Sequence, residues 1–413
     1  MNELLKIYQS SQEVSQVAEA LAATNVRLRL KGMAGSLAAV VGAAVHNSLH
    51  DKTLVFVAES KERAYYLCND MEALFGETDT ELSEKDILLF PSSSRKPYHY
   101  DEVENSNMLL RSEVMKRLNS GGHPAVITYP EALSEKVASP KLLETNTINV
   151  SVGESLSIDD MVDMLDEGNF VRTDFVVSPG QYALRGGIID VFSFSSEHPF
   201  RIEFFGENVE SVRTFDPMSQ LSIQKQDSVS IIPDIEHKAA SAASDTKVSL
   251  LQYLTANDVV FVENMLLSVE RIGQDFHKAE QSFGEMNATV QQLPPKALYS
   301  DENEFLTEVL KNNIVEYGQT QYFIEARQVV FDSSQQPPFN KQFEMLVSGL
   351  KSYSEQSFTA FICIENERQR KRLEDVFEQM GLPQVTVVVV LVMLTDVEQL
   401  PGSGGDTMAV SVT

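Results

Sequence analysis

The stretch Val26-Arg-Leu-Arg-Leu-Lys-Gly-Met-Ala-Gly-Ser-Leu-Ala-Ala39 joins a strand pattern, a glycine turn and the start of a helix. Its apolar residues first alternate over residues 26–30, as they do in a strand with two different faces. An Ala- and Val-rich helix is predicted over residues 36–46, and the apolar run at 53–58 predicts a buried strand. Strand, helix and strand in this order are typical of a parallel sheet that is covered by helices.

The alternation of helix and strand signals continues to about residue 130. Helices are predicted at 4–21, 60–75 and 105–118, and strands at 86–90 and 125–128. This pattern predicts an α/β fold class with a doubly wound parallel sheet.

A different pattern begins near residue 150. Ser157, with Asp160 three residues later, predicts the N-terminal cap of a short amphipathic helix that Gly168 ends. Turn residues then separate a quick succession of strands, which are predicted at 170–177, 181–185, 187–192, 199–205 and 209–216. The sequence therefore predicts a small antiparallel β-rich module, of the α+β kind.

The α/β pattern returns from about residue 245. The predicted elements are a strand at 258–262, a helix to about 283, a helix at 302–314 and a strand at 321–324. A β module between two α/β halves indicates an insertion, with both halves completing one sheet.

The polar stretch Ser333-Ser-Gln-Gln-Pro-Pro338 predicts a hinge before a last unit. The predicted elements of that unit are a helix at 340–353, a strand at 358–364, a helix at 366–380 and a strand at 385–394. These elements are too few to form a complete domain. The chain is therefore interpreted as truncated, with a partial third α/β domain. The predicted domains are 1–130, 131–216, 217–345 and 346–413.

Composition limits the possible functions. The chain has 413 residues, with 33 basic against 60 acidic side chains and a formal net charge of −27. This balance argues against a protein whose main role is to wrap nucleic acid, because phosphate contacts need a dense basic face. Cys68 and Cys363, the two cysteines, provide neither a disulfide framework nor a paired-cysteine zinc site.

The sequence also gives no sign of a membrane, metal or catalytic site. No apolar run reaches the ~20 residues of a membrane span, and residues 1–10 lack the apolar core of a signal peptide, so a cytoplasmic protein is expected. His46 and His50 have HxxxH spacing, but no Glu follows His46 as in the zinc-protease motif, so no metal is predicted. No Ser/His/Asp or Cys/His arrangement is assignable, and no catalytic residue is predicted.

The glycine turn after the first strand lies where a phosphate-binding loop belongs. Alignment of Gly32 with the first glycine of GxxxxGK[ST] puts Leu37, Ala38 and Ala39 at the positions of the second Gly, the Lys and the Ser/Thr. This loop, Gly32 to Ala39 with Gly35 and Ser36, therefore lacks the ammonium and the Mg²⁺-binding hydroxyl. A purely structural glycine turn is the alternative interpretation, and on either one no ATP hydrolysis is predicted here.

The β module carries a cluster of arginines and aromatic residues, which are Arg172, Arg185, Arg201 and Arg213 with Tyr182, Phe192, Phe204 and Phe205. Arginine with aromatic residues is the composition of an interface hot spot, so a local docking face is predicted. The alternative is that the arginines are solvated outward residues or pair internally with Glu203 and Glu210. The charged run at 365–372 is interpreted as a solvated helix face.

One segment carries a specific resemblance. Gly180-Gln-Tyr-Ala-Leu-Arg-Gly-Gly-Ile-Ile-Asp-Val-Phe192, with Pro199-Phe-Arg-Ile-Glu-Phe-Phe-Gly206 and Val209-Glu-Ser-Val-Arg-Thr-Phe-Asp216, resembles the bacterial excision-repair family that includes UvrB and the transcription-repair coupling factors. The degenerate phosphate loop favours the coupling-factor branch, because UvrB keeps a functional one. So does the short segment from Pro97 to Val103, where UvrB inserts a long aromatic-rich hairpin that grips damaged DNA.

The resemblance, which covers about residues 1–380, implies a degenerate P-loop NTPase-like domain with the β-rich domain inserted in it. It also implies that the inserted domain recruits UvrA through Arg172 and Arg185, with Phe192 as a weaker apolar contact. The resemblance implies that other parts of the parent translocase, beyond this chain, bind RNA polymerase, DNA, ATP and Mg²⁺. It also implies that the C-terminal domain of the parent protein masks the UvrA surface. Residues 385–413 do not match the expected continuation.

The predicted function is that of an adaptor without ATPase or cofactor of its own, which recruits UvrA to stalled RNA polymerase in transcription-coupled excision repair. Two alternatives remain. One is a UvrB-type, ATP-dependent enzyme that loads on damaged DNA, and the other is a structural scaffold for the motor.

Overall fold

The computed structural model of the chain describes residues 3–93, 98, 105–233, 246–285, 293–333, 343–356, 359–364, 367–380, 387–391 and 408–412. Its helices are α1 Glu3–Gln9, α2 Gln12–Leu21, α3 Leu37–His46, α4 Lys61–Phe75, α5 Asn105–Asn119, α6 Pro130–Ser134, α7 Pro140–Asn146, α8 Ile158–Glu167, α9 Met265–Glu285, α10 Pro295–Leu298, α11 Glu302–Val309, α12 Phe343–Glu355 and α13 Glu367–Gln379.

The strands before residue 200 are β1 Arg27–Lys31, β2 Leu54–Val57, β3 Ile87–Leu89, β4 Ala125–Thr128, β5 Val137–Ala138, β6 Ile148–Ser151, β7 Val171–Arg172, β8 Gln181–Arg185 and β9 Ile188–Val191. The later strands are β10 Phe200–Phe205, β11 Asn208–Phe215, β12 Ser222–Gln226, β13 Ser228–Ile231, β14 Lys247–Val248, β15 Val259–Val262, β16 Asn313–Glu316, β17 Arg327–Val330, β18 Thr359–Ile364, β19 Val387–Leu391 and β20 Met408–Val412.

A seven-stranded sheet in the order β17-β1-β16-β15-β2-β4-β3 is parallel in every pairing. Strands β2, β4 and β15 are buried along their whole length, as expected for central strands that are covered on both faces. The sheet takes β1–β4 from before the β module and β15–β17 from after it. The predicted α/β class with a parallel sheet is confirmed.

A separate six-stranded sheet in the order β12-β11-β10-β9-β8-β7 forms the β module, and its pairings are antiparallel except for β7 with β8. One face packs on α8 and on the β6–β13 pair through a compact core, which includes Met161, Leu165, Tyr182, Ile189, Val191, Ile202, Val212 and Ile231. The opposite face carries Arg185, Arg201 and Arg213.

A strand was predicted at 170–177, but β7 contains only Val171–Arg172. The prediction is therefore wrong for the residues after Arg172. The Gln181 side chain accepts hydrogen bonds from the backbone N–H groups of Val177, at 2.9 Å, and Ser178, at 3.1 Å. Val176 is buried with Phe192 and Phe215. The chain therefore folds over the face of the sheet instead of continuing as a hairpin strand.

The elements around residue 314 also differ from the prediction. Helix α11 ends at Val309, and β16 and β17 replace the strand expected at 321–324. The Glu316 carboxylate accepts hydrogen bonds from the N–H groups of Tyr322, at 2.8 Å, and Phe323, at 3.1 Å, which holds that segment as a loop. The prediction missed β17 because it is an edge strand, where polar residues are tolerated.

Packing bears on where the β module begins and ends. Residues of α6, β5 and α7, including Ala132, Val137 and Leu143, belong to the large core under the parallel sheet. Strands β12 and β13 continue the module beyond residue 216. The core of the β module thus contains residues between Ile148 and Ile231, and the domain boundaries at 131 and 216 stay predictions.

The last unit has a three-stranded sheet in the order β19-β18-β20, with a small core around Leu346, Leu350 and Phe377. In α13, Arg368 and Lys371 are exposed, as expected for a solvated face. Except for Tyr98, the segment 97–103 lies outside the described residues, and so do residues 334–338 of the predicted hinge. None of the described helices combines the length and the hydrophobicity that crossing a membrane requires.

Candidate functional site

Charged residues form a row on the face of the six-stranded sheet that lies opposite α8. The register pairs Arg201 with Asp190 and Arg213, and Arg213 with Lys225. Laterally paired residues project from the same face of a sheet, so these side chains share one side. Arg185 and Glu203, which both pair with Ile188, form the adjacent row. We call this surface, made of Arg185, Arg201, Arg213, Lys225, Asp190 and Glu203, the basic face.

Asp190 organises the basic face. Its side chain is 0% exposed, and it accepts hydrogen bonds from Arg201 Nε, at 2.7 Å, and from Arg201 Nη2, at 2.9 Å. Arg185 Nη2 donates to the same carboxylate. The hydrogen bond to Asp190 raises the pKa of Arg201, so this guanidinium stays charged. Two cations that share one buried anion leave a net positive charge at the surface.

The two arginines differ in how they face solvent. The Arg201 guanidinium lies 4.4 Å from the ring centroid of buried Phe215. The Arg185 side chain is 40% exposed, and its guanidinium lies 5.2 Å from the ring centroid of Phe175. Phe205 is 77% exposed, whereas its neighbour Phe204 packs in the core on the other side of the sheet. The basic face thus presents an arginine together with exposed aromatic rings.

Arg213 is partly neutralised within the sheet. It forms an ion pair with Glu203, whose other carboxylate oxygen accepts a 2.7 Å hydrogen bond from Ser211 Oγ. The internal pairing considered for Glu203 is therefore present. Glu210 is exposed and, among the described residues, has no ion-pair partner.

The other two predicted contact residues lie elsewhere. Arg172 pairs in register with Tyr182, which packs in the α8 core, so Arg172 projects from the face opposite Arg185. Phe192 is only 6% exposed and lies in a cluster with Val176 and Phe215, beneath the loop over the basic face. The structure therefore brings Arg185 together with Arg201, and it places Arg172 and Phe192 outside that pair.

Two residues of this surface, Phe175 and Asp190, were not predicted from the sequence. Phe175 lies in a segment that was predicted to be a strand, so its side could not be assigned. Asp190 had a usable signal, because a single carboxylate within Ile188-Ile-Asp-Val-Phe192 implies a buried charge that needs a cationic partner.

The glycine turn after β1 has a structural role. Gly32 has φ of +75°, and a Cβ there would lie 1.9 Å from the Phe331 carbonyl oxygen. Phe331 N–H donates to Lys31 O at 2.8 Å, and Ser333 Oγ donates to Gly32 O. The close approach of the chain after β17 therefore requires a glycine at this position.

The side chains of Leu37, Ala38 and Ala39, which follow the turn, are apolar. Ala38 lines a narrow apolar crevice with Leu30, Phe56 and Phe261, and Ala39 is buried. Ser36 is buried at the N-terminus of α3, where Leu37 begins the helix. The second glycine of the turn, Gly35, also has a positive φ, of 58°.

An acidic residue that the prediction missed, Glu263, follows β15 at the same edge of the sheet. In P-loop NTPases an acid in this kind of position holds Mg²⁺. Here its carboxylate accepts hydrogen bonds from Arg63 Nη2, at 2.7 Å, and from Glu59 N–H, at 2.9 Å. No group of three or more His, Cys, Asp or Glu residues suited to a metal ion occurs in the part of the chain that the structure describes.

His46 is buried at the end of α3, with its ring 5.7 Å from that of Phe75, whereas His50 is exposed. The pKa of His46 is lowered to about 4, mainly by burial, which Asp86 opposes and to which His50 adds a smaller lowering effect. A buried neutral imidazole is the expected state of this side chain in the folded chain at neutral pH.

We expect His46 to make stability depend on pH between about 6.5 and 4. The unfolded chain protonates His46 below pH 6.5 and the folded chain only near pH 4, so the free energy of unfolding falls as the pH is lowered, by roughly 3 kcal/mol in total. Urea unfolding at pH 7 and pH 5 should show a smaller loss for His46→Gln than for the wild type, and no such difference for His50→Gln. Equal losses for all three proteins would contradict this assignment.

Comparison with known proteins shows which families the chain and its β module are similar to. Residues 148–237 match the family model of the UvrB interaction domain. The chain is 28% identical over 204 residues to the transcription-repair-coupling factor of Bacillus subtilis, covering 49% of this chain and 17% of that protein. It is 29% identical over 220 residues to the protein of the same name from Myxococcus xanthus, covering 53% and 18% of the two chains.

UvrB proteins also match. The UvrABC system protein B of Streptococcus agalactiae is 23% identical over 177 residues, which are 42% of this chain and 26% of that protein. The chain thus spans less than a fifth of the coupling factors and about a quarter of the UvrB protein. The resemblance that was inferred from the motifs at 180–216 is confirmed, and the basic face lies within the matched domain.

Proposed function

We propose that this chain is an adaptor that recruits UvrA, through the basic face, to sites where a transcription-repair coupling factor acts on stalled RNA polymerase. The observation that carries the proposal is the Asp190-centred arginine pair, which presents Arg185 beside the exposed ring of Phe175 inside a UvrB interaction domain. A net positive face on a chain of charge −27 favours a local protein contact over a general affinity for nucleic acid.

The remaining activities of the proposed parent are assigned to parts beyond this chain. The relatives are named as coupling factors, and this chain spans only a small part of each. We propose that contacts to RNA polymerase and DNA, and the ATP- and Mg²⁺-dependent motor, lie in those other parts. The parent's C-terminal domain is proposed to mask the basic face at rest.

We further propose that the seven-stranded domain is a P-loop NTPase fold that has lost nucleotide binding. The position of the turn at Gly32, between β1 and α3, supports the likeness. The apolar environment of Ala38 and the engagement of Glu263 by Arg63 support the loss. On this proposal the chain has no ATPase and no cofactor.

The charge reversal Arg185→Glu should weaken binding of UvrA to the full chain at least ~30-fold, because it removes the exposed cation and places a carboxylate beside Asp190. Titration calorimetry with purified UvrA measures this. Arg368→Glu, the same charge change on the exposed side of α13, is the matched control and should bind as the wild type does.

The variant Arg172→Glu tests whether the contact with UvrA extends around β7 to the other face of the sheet. A loss as large as that of Arg185→Glu would place both arginines in the contact, as the resemblance implies. Wild-type affinity for Arg185→Glu would overturn the docking proposal and leave the scaffold alternative.

A further inference from the structure

The loop at 173–178 is fixed on top of the basic face. Val176 is buried between the loop and the sheet, where Ala183, Phe192 and Phe215 complete its cluster. The Gln181 side chain holds the loop backbone at Val177 and Ser178. Thr173 Oγ1 donates a 3.0 Å hydrogen bond to Phe175 O, which closes the turn at its start. The loop is therefore an ordered part of this surface.

Because Val176 points into the sheet, its two neighbours point outward. Phe175 is 58% exposed, and Val177 and Val171 are exposed as well. Val171 pairs in register with Gln181, which is on the same side of β8 as Arg185. We call Val171, Phe175 and Val177 the apolar shelf, and it borders the basic face.

The shelf is joined to the basic face by Arg185. The Arg185 guanidinium lies between the Asp190 carboxylate, with which it pairs, and the Phe175 ring, at 5.2 Å from the centroid. Both contacts restrict a long side chain before any partner arrives, which reduces the entropy that is lost on binding. An arginine held against an exposed aromatic ring is the composition found at the energetic centre of interfaces.

We propose that the apolar shelf is the non-polar half of the docking surface, and that it takes a partner which presents an aliphatic or aromatic side chain next to a carboxylate. The carboxylate pairs with Arg185 while the apolar side chain covers Phe175 and Val177. A negatively charged partner is expected because the basic face has four cationic side chains and only two carboxylates, those of Asp190 and Glu203. This inference rests on the proposed function, and it assigns to Phe175 the apolar role that the family resemblance implied for Phe192.

The test compares Phe175→Ala and Phe175→Ala/Val177→Ser with the wild type in UvrA titrations. We expect the single variant to bind about 10-fold more weakly and the double variant more weakly still, with melting temperatures unchanged because both side chains are exposed. Tyr66→Ala, which removes an exposed ring from α4, is the control and should bind normally.

Ionic strength separates the two halves of the surface. Arg185→Glu should reduce the salt dependence of the UvrA affinity, whereas Phe175→Ala should lower the affinity at every salt concentration and leave the salt dependence as it is. Wild-type affinity for the double variant, with Arg185→Glu still defective, would overturn the shelf and leave the docking function intact. Wild-type affinity for Arg185→Glu would remove the docking function itself. Self-association of the chain that Phe175→Ala abolishes would assign the shelf to a second copy and overturn the proposed partner.

Discussion

Replacement of Asp190 by Ala should lower the free energy of unfolding of the β module by about 3–5 kcal/mol and abolish UvrA binding together with it. The carboxylate is fully buried and accepts hydrogen bonds from Arg185 and Arg201. Without it, two guanidinium groups face each other across β9, and Arg201 is left partly buried with no anion beside it. Loss of one partner from a buried ion pair is costly because the other charge stays desolvated.

Urea unfolding followed by near-UV circular dichroism, with UvrA titration of the same samples, measures both effects. Glu210→Ala is the matched control, since it removes an exposed carboxylate from the same sheet, and it should stay within about 0.5 kcal/mol of the wild type. If Asp190→Ala unfolds and binds as the wild type does, the buried carboxylate does not organise the face.

Asp190→Asn distinguishes charge from shape. The amide keeps the volume of the side chain but cannot neutralise either guanidinium, and its NH₂ group would point at one of them. We therefore expect most of the loss of stability that Asp190→Ala shows. Near-wild-type stability would mean that packing of this side chain, and not its charge, holds the arginines.

Part of the parallel sheet was predictable because two of its central strands, β2 and β15, are continuous apolar runs. β2 and β15 are buried on both faces, so the composition of each run alone identified a strand. β17 escaped because an edge strand has no such requirement, and its Arg327 and Gln328 are exposed. The prediction also missed β16, which is buried along its whole length, because Asn313 and Glu316 flank only two apolar residues in it.

The residue composition of the basic face was predictable, but the loop that covers part of it was not. Alternation along β9 places Phe192 on the same side as Asp190, which is where the structure has it. The sequence does not reveal that the loop carrying Val176 crosses that side and covers Phe192, because this depends on the contact of the Gln181 side chain with the loop backbone. The same loop interrupts the strand pattern between Arg172 and Arg185. The number of residues between these two arginines therefore does not indicate whether their side chains lie on the same face of the sheet.

Gly32→Ala should destabilise the parallel-sheet domain by at least ~2 kcal/mol, because the new Cβ meets a main-chain oxygen and not a movable side chain. The methyl group would lie 1.9 Å from the Phe331 carbonyl oxygen, so β17 and the segment after it would have to move away from β1. Hydrogen exchange at the amide of Phe331, which bonds to Lys31 O, should accelerate in the variant.

Gly76→Ala isolates the part of this cost that comes from the backbone angle alone. Gly76 has a similar φ of +77°, but a Cβ there meets nothing within 4 Å, so about 1 kcal/mol is expected. The difference between the two variants is then the cost of the clash. A loss for Gly32→Ala no larger than that for Gly76→Ala would show that the approach of Phe331 is not needed.

The same pair of variants decides what the turn at Gly32 is for. If its glycine serves the closure of β17 on β1, MgATP should leave the melting temperature of the wild-type chain unchanged while Gly32→Ala lowers it. In a working phosphate loop the glycines serve the nucleotide, so ligand binding would raise the melting temperature of the wild type, by mass action. A nucleotide-dependent shift would restore the UvrB-type enzyme as an explanation. Its absence, together with the loss for Gly32→Ala, would mean that a phosphate-loop position has been retained for sheet closure alone.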